Sequence, residues 1–194
     1  MKAIKKIQYN SPVILTFSFV SLAALLLGFL TKGWTTQRLF CVYRAPLSDP
    51  LTYLRMFLHV LGHSGYEHYM GNILLMLVIG PGLEERYGSR AMVFVILATA
   101  LVSGLVQFAF FPGSALLGAS GIVYMLIILA SLSGIKQGSI PLTLLLVTVF
   151  YLGGEVAKGI FVKDNISQLT HVIGGIVGGV FGFYVNKNRK NIST

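Results

Sequence analysis

Residues Leu169–Val185 read LTHVIGGIVGGVFGFYV. The stretch carries no Asp, Glu, Lys or Arg, and its length approaches the ~20 apolar residues that cross a bilayer core. An isolated strand cannot satisfy its backbone in lipid, so the stretch is predicted to be a helix. His171 stands at its head. Gly174, Gly178 and Gly182 follow at spacings of three, four and four, which puts all four residues on one helical face. Gly175 and Gly179 form a neighbouring four-spaced pair. Faces of small residues let helix backbones approach closely in lipid. This helix is therefore expected to press against another and to carry an imidazole into the contact. An ionisable group at that depth is costly, which makes it a functional candidate.

The rest of the chain suits the same solvent. Of 194 residues, 55% are hydrophobic and 11% are charged, against about 25% charged in a typical soluble domain. Five further stretches are apolar enough to span: roughly 12–30, 68–83, 91–111, 116–132 and 140–152. The fold class expected is all-α, a polytopic membrane protein of six spans, with residues 1–194 forming one membrane domain. The basic start followed by Pro12–Leu30 resembles a signal peptide, but the apolar run exceeds an h-region of ~7–15 residues and no small-x-small site follows. It is read as a retained first span.

The net charge of +9 invites a nucleic-acid reading. The cations sit at the ends of apolar stretches and form no stripe with interleaved aromatics, so no nucleic-acid partner is expected. They act instead as span flanks. With six spans, one side holds Lys2, Lys5, Lys6, Arg86, Arg90, Lys136, Lys187, Arg189 and Lys190, and the other Lys32, Arg38, Arg44, Arg55, Lys158 and Lys163. The first group is denser in short segments, which places both termini in the cytoplasm of a multi-pass protein, in the cell membrane. The connection 31–67 is too apolar for a solvated linker. It is expected to fold at the interface with short helices of its own. The single cysteine, Cys41, is read as a small apolar loop residue.

Spans four and six run in the same direction. Ser120 near the start of one and His171 near the start of the other therefore share a depth just below the outer surface. A serine hydroxyl becomes a nucleophile when a base takes its proton, and the same imidazole can then protonate the leaving amine. No acid is placed to orient the histidine, so the pair is a dyad. Tyr124, one turn deeper than Ser120, is expected to pack on the imidazole. Gly118 and Gly121 flank the serine. His68 and Asn72, four apart at the start of the second span, are expected to line an oxyanion hole with the Ser120 backbone N–H. A loop at 153–168 containing Gly153, Gly154 and Gly159 is expected to cap a water-filled pocket. The chemistry needs no cofactor and no metal.

Taken in order, these residues resemble the rhomboid family of intramembrane serine proteases over about Tyr53–Gly182. Gly118-Ala119-Ser120-Gly121 is similar to the family's G-x-S-G, followed by its tyrosine at Tyr124. His171 with Gly174 and Gly178 resembles H-x-x-G-x-x-x-G, and His68 with Asn72 resembles H-x-x-x-N, with His63 as a further loop histidine. Gly80-x-x-x-Glu84-x-x-x-Gly88 resembles G-x-x-x-E-x-x-x-G, whose glutamate has a structural role. The chain departs from the family pattern at Leu54, where a tryptophan precedes the arginine corresponding to Arg55, at Pro81, and at Thr170 before the histidine. The resemblance implies a six-helix core and cleavage of transmembrane protein substrates near the outer face. It also implies that substrates gain access between spans two and five.

A catalytically inactive rhomboid-like protein that binds membrane clients would lack Ser120 or His171, and both are present. His59 and His63 are spaced to chelate a metal, but the glutamate of H-E-x-x-H is missing. A channel or transporter would show charged residues along a span, and none of the spans carries such a row.

Overall fold

The computed structural model describes residues 7–133, 142–147, 149–150 and 165–190. The described chain is mostly helical. Its helices are α1 (Pro12–Leu30), α2 (Trp34–Leu39), α3 (Pro50–Leu58), α4 (Tyr66–Tyr87), α5 (Ser89–Phe110), α6 (Ser120–Ser133), α7 (Leu142–Val147) and α8 (Asn165–Lys190). A 3-10 turn at His59–Leu61 follows α3. Two short strands, β1 (Val42–Tyr43) and β2 (Ala115–Leu116), pair antiparallel, Val42 with Leu116 and Tyr43 with Ala115. Of the fifth expected span, only α7 and residues 149–150 are described. Residues 153–164 of the expected capping loop lie outside the described residues, as do Lys2, Lys5, Lys6, Lys136, Lys158 and Lys163.

Helices α1 and α5 are long and apolar enough to cross a membrane, and Ser120–Ser133 and Leu169–Tyr184 are shorter apolar helices. The outward faces of α1 and α5 carry exposed Phe19, Leu26, Phe29, Phe94 and Leu97, as helices solvated by lipid tails do. Helix α6 differs. Gly121, Ile122, Val123 and nearly every residue on to Leu132 are buried, so α6 is apolar all round because it is enclosed all round. Ile122, Met125, Leu126 and Leu129 of α6 form the centre of the core with Ile14 of α1, Met76 of α4, and Met92 and Val95 of α5.

The fourth apolar stretch is expected to be helical from residue 116, but the helix begins at Ser120. Leu116 is drawn into the ladder with Val42, and Gly118 adopts a positive φ of 127°, a conformation that breaks a helix and favours glycine. The second and sixth stretches extend beyond their expected ends, to Tyr66–Tyr87 and Asn165–Lys190.

Glu84 closes the fold on the side away from Ser120. Its carboxylate accepts from the Ser11 hydroxyl at 2.7 Å, from the Val13 and Ile14 amides at 3.0 and 3.1 Å, and from the Ser89 hydroxyl at 2.7 Å. The first N–H groups of a helix have no intrahelical acceptor, so an acid on α4 caps α1, with the negative charge at the positive end of the α1 dipole. Gly80, one turn earlier, lets Ile14 seat against α4: a Cβ there would lie 2.7 Å from Ile14 Cδ1. Pro81 is accommodated inside α4.

Candidate active site

Helix α8 lies on α6 through glycine. A Cβ at Gly174 would collide with the Gly121 carbonyl, and one at Gly178 would stand 2.5 Å from the Met125 carbonyl oxygen. Gly182 makes room for Leu129 and Leu132, and Gly121 faces Thr170, where a Cβ would sit 3.0 Å from Cγ2. The face His171, Gly174, Gly178, Gly182 is therefore the packed one. A Cβ added at Gly179, on the neighbouring pair, would meet nothing within 4 Å.

This approach brings Tyr124 to His171 and the start of α6 to Thr170. Ser120 is the first residue of α6, and Gly121 beside it is pressed against Thr170, the residue before His171. The Tyr124 ring stacks on the His171 imidazole with centroids 4.1 Å apart and planes 7° from parallel. The stack fixes the ring plane of the imidazole. As the opening turn of a helix, the amides of Ser120, Gly121 and Ile122 lack intrahelical acceptors; the Val123 amide is the first to find one, at Ala119. Those amides and the helix dipole favour negative charge at this point.

His68 reaches the same place from α4. The Ser64 amide and hydroxyl donate to its Nδ1 at 3.4 and 3.1 Å. A backbone N–H can only donate, so Nδ1 is the acceptor nitrogen and Nε2 carries the proton. That Nε2 faces Gly118, where a Cβ would lie 2.8 Å from it. The first glycine of Gly-Ala-Ser-Gly is thus required twice, for its φ and for the imidazole lying over it. Asn72 is buried, but its amide donates to the His68 carbonyl at 3.1 Å, along its own helix. One amide N–H of Asn72 is thereby committed, a limit on the oxyanion role expected from spacing alone.

The loop before α4 supports this arrangement. The His59 carbonyl accepts from the Gly118 amide at 2.9 Å, and its Nε2 donates to the Ala100 carbonyl at 3.1 Å. Burial pushes the His59 imidazole down to about 4 and, with the neighbouring His68, does the same to His63. His63 donates through Nδ1 to the Leu61 carbonyl at 3.2 Å and lies edge-on to His68. Each histidine thus binds a backbone carbonyl through one ring nitrogen, and among the described residues no three His, Cys, Asp or Glu side chains converge on a point. Cys41 is buried, and burial raises its thiol to about 11, far from the thiolate form.

Two sets of supporting contacts, those of Gln107 and of Arg55, are absent from the sequence reading. Gln107 is buried in α5 and donates to the Ser114 carbonyl and hydroxyl at 3.1 and 3.0 Å, so it pins the loop that leads to Ser120. A glutamine inside an apolar span is the kind of signal that flags a partner. Arg55, 1% exposed, pairs with Asp49 at 2.9 Å, donates to Thr52 at 3.0 Å and lies 4.6 Å from the Tyr43 ring. Asp49 also caps α3 through the Leu51 amide, a double role that spacing does not reveal. Leu54, at the position expected of a tryptophan, is exposed.

The described chain is a mostly helical protein with two membrane-capable helices and a cluster of serine, histidine and tyrosine side chains at one helix start. The family model described as "Rhomboid domain" matches residues 50–188. The chain belongs to the rhomboid family. It is 29% identical over 195 residues to the mouse (Mus musculus) "Rhomboid-related protein 2", covering 90% of this chain and 65% of that protein. It is 27% identical over 190 residues to the "Rhomboid protease GlpG" of Pectobacterium atrosepticum, covering 95% and 66%. A third relative, "Rhomboid-related protein 1" of Caenorhabditis elegans, is 30% identical over 135 residues, covering 65% and 38%. The chain thus spans between 38% and 66% of the length of these relatives.

Proposed function

We propose that this protein is an intramembrane serine endopeptidase that cuts the transmembrane segments of other membrane proteins with a Ser120–His171 dyad. The observation that carries the reading is the α6–α8 seam: glycine on backbone brings the start of α6 against the residue preceding His171, and Tyr124 stacks on the imidazole. In the proposed reaction His171 takes the Ser120 proton as the oxygen attacks the scissile carbonyl, then delivers it to the leaving amine. The Ser120 amide at the α6 start and the His68 Nε2–H supply donors for the oxyanion. Asn72 joins them through its remaining N–H. Water then releases the acyl group from Ser120, with His171 again as base. No step needs a cofactor.

The same reading makes residues 1–194 one membrane domain with six spans, the fifth including α7, and places the protein in the cell membrane with both termini in the cytoplasm. The bilayer and transmembrane substrates are its partners.

Purified protein in lipid vesicles should cleave a helix-destabilised transmembrane substrate, and Ser120→Ala and His171→Ala should each abolish turnover while keeping the wild-type circular dichroism. Retained turnover in either variant refutes the dyad. A folded wild type that cleaves no substrate and takes up no fluorophosphonate would favour a client-binding role.

A further inference from the structure

The outer loop carries a cleft of about 460 Å³ lined by Trp34, Gln37 and Arg38 of α2, by Cys41, by Tyr43 of β1 and by Ala115 of β2. Arg38 is exposed and makes no ion pair among the described residues. Two further arginines of the loop are occupied: Arg55 by Asp49, and Arg44 by the Ala109 carbonyl and the Phe108 ring. Of the two acids between residues 31 and 67, Asp49 is spent on Arg55 and Glu67 lies in the first turn of α4. Asp49 feels Arg38 as well as Arg55, so two guanidiniums share one carboxylate, and the cleft joins this surplus positive charge and a primary amide to an exposed indole.

Its position gives this chemistry a use. Ala115 is exposed on β2, five residues before Ser120 in the chain, so the Ala115 edge of the cleft lies within about 18 Å of the candidate nucleophile at ~3.3–3.6 Å per residue. An extended substrate rises about 3.3 Å per residue. A side chain seated in the cleft therefore belongs to a residue within about five positions of the scissile bond.

We infer that this cleft receives an acidic side chain from the outer flank of the substrate, which makes Arg38 a specificity-determining residue; the inference rests on the protease reading above. The carboxylate pairs with the Arg38 guanidinium, whose planar fork fits two oxygens, with Gln37 as a further donor and Trp34 covering the methylenes. The Arg38 backbone carbonyl accepts from Arg55 Nη1 at 3.3 Å. Changing the side chain leaves that bond in place, so folding and the dyad are spared.

The test uses the full chain in phosphatidylcholine nanodiscs and a substrate series with Asp, Asn or Lys at each of the five positions on either side of the scissile bond. At one or two adjacent positions Asp should raise kcat/KM about fivefold over Asn, the size expected of a partly exposed ion pair. The gain should shrink at high salt. Arg38→Glu should abolish the gain and favour Lys there. Equal cleavage of Asp and Asn substrates at every position, or a preference that survives Arg38→Glu, overturns the inference. The same peptides are titrated against Ser120→Ala protein by fluorescence. Loss of all cleavage alongside Arg38-dependent binding of Asp peptides would remove the protease reading and keep the cleft. Should Arg38→Glu weaken only association with phosphatidylglycerol and leave peptide binding unchanged, the cleft is a lipid-headgroup site and the inference fails.

Discussion

Where α8 crosses α6, Gly174 and Gly178 lie on the carbonyls of Gly121 and Met125, and the helices are held by close backbone contact and the Tyr124–His171 stack. In the 31–67 loop the Arg55 guanidinium is held by Asp49, Thr52 and the Arg38 carbonyl, and His59 by the Ala100 carbonyl. Both regions converge on Ser120. The seam sets its place relative to His171, and the loop holds the preceding segment through β1–β2 and the Gly118 amide. The difference follows from solvent. Between two apolar helices in lipid there is no hydrophobic driving force, so dispersion at short range does the holding. At the interface, backbone groups that leave a helix need partners, and a polar network supplies them.

The comparison can be broken first at the seam. Gly178→Leu places a side chain where a Cβ already meets the Met125 carbonyl oxygen at 2.5 Å. It should cost about 1–3 kcal/mol or more of stability and abolish cleavage by separating Ser120 from His171. Gly179→Leu, one residue away and facing open space, should change stability by less than about 0.5 kcal/mol. Thermal unfolding in mixed micelles and turnover on one substrate measure both. Equal effects at the two positions would remove the seam from the account.

The loop should fail with acid instead. Its folded-state His59 imidazole is pushed down to about 4 by burial, below the ~6.5 of an unfolded histidine. The unfolded chain then binds the extra proton between those values, so stability is present above pH 6.5 and is lost as pH falls toward 4. The loss from His59 is about 3 kcal/mol. Unfolding free energy against pH, in wild type and in His59→Gln, measures it; the same slope in both would clear His59. A smaller loss than at His59 is expected at Asp49→Asn, which removes the charge of a partly exposed acid paired to Arg55. Tm should fall modestly while cleavage of an uncharged substrate persists, because the β1–β2 ladder and the His59–Gly118 bond remain.

The seam was legible in the sequence because its signal is periodic: His171, Gly174, Gly178 and Gly182 recur along a single helix, and neighbours in sequence are neighbours in space. The stack of Tyr124 on His171 followed from the same geometry. The start of α6 was not legible. It depends on Leu116 pairing with Val42, a partner far away in the chain, and on a left-handed Gly118 that local propensity does not announce. Asn72 sat at the expected spacing, yet its amide turns to the His68 carbonyl, a choice made by side-chain torsion and invisible to periodicity. The Asp49–Arg55 pair escaped for a related reason: six residues apart, the two are brought together by a cap and a helix turn acting jointly. Gln107 is the exception. A glutamine among apolar residues was in plain view, and its three bonds to the α5–α6 loop were there to be sought.

The account stands most directly on one measurement: fluorophosphonate labelling of the purified full chain in lipid, with the modified residue mapped by peptide mass spectrometry. Labelling on Ser120 alone, lost in His171→Ala and in Gly178→Leu but retained in Gly179→Leu, is the predicted result. Labelling elsewhere, or on Ser120 with undiminished rate in His171→Ala, would contradict it.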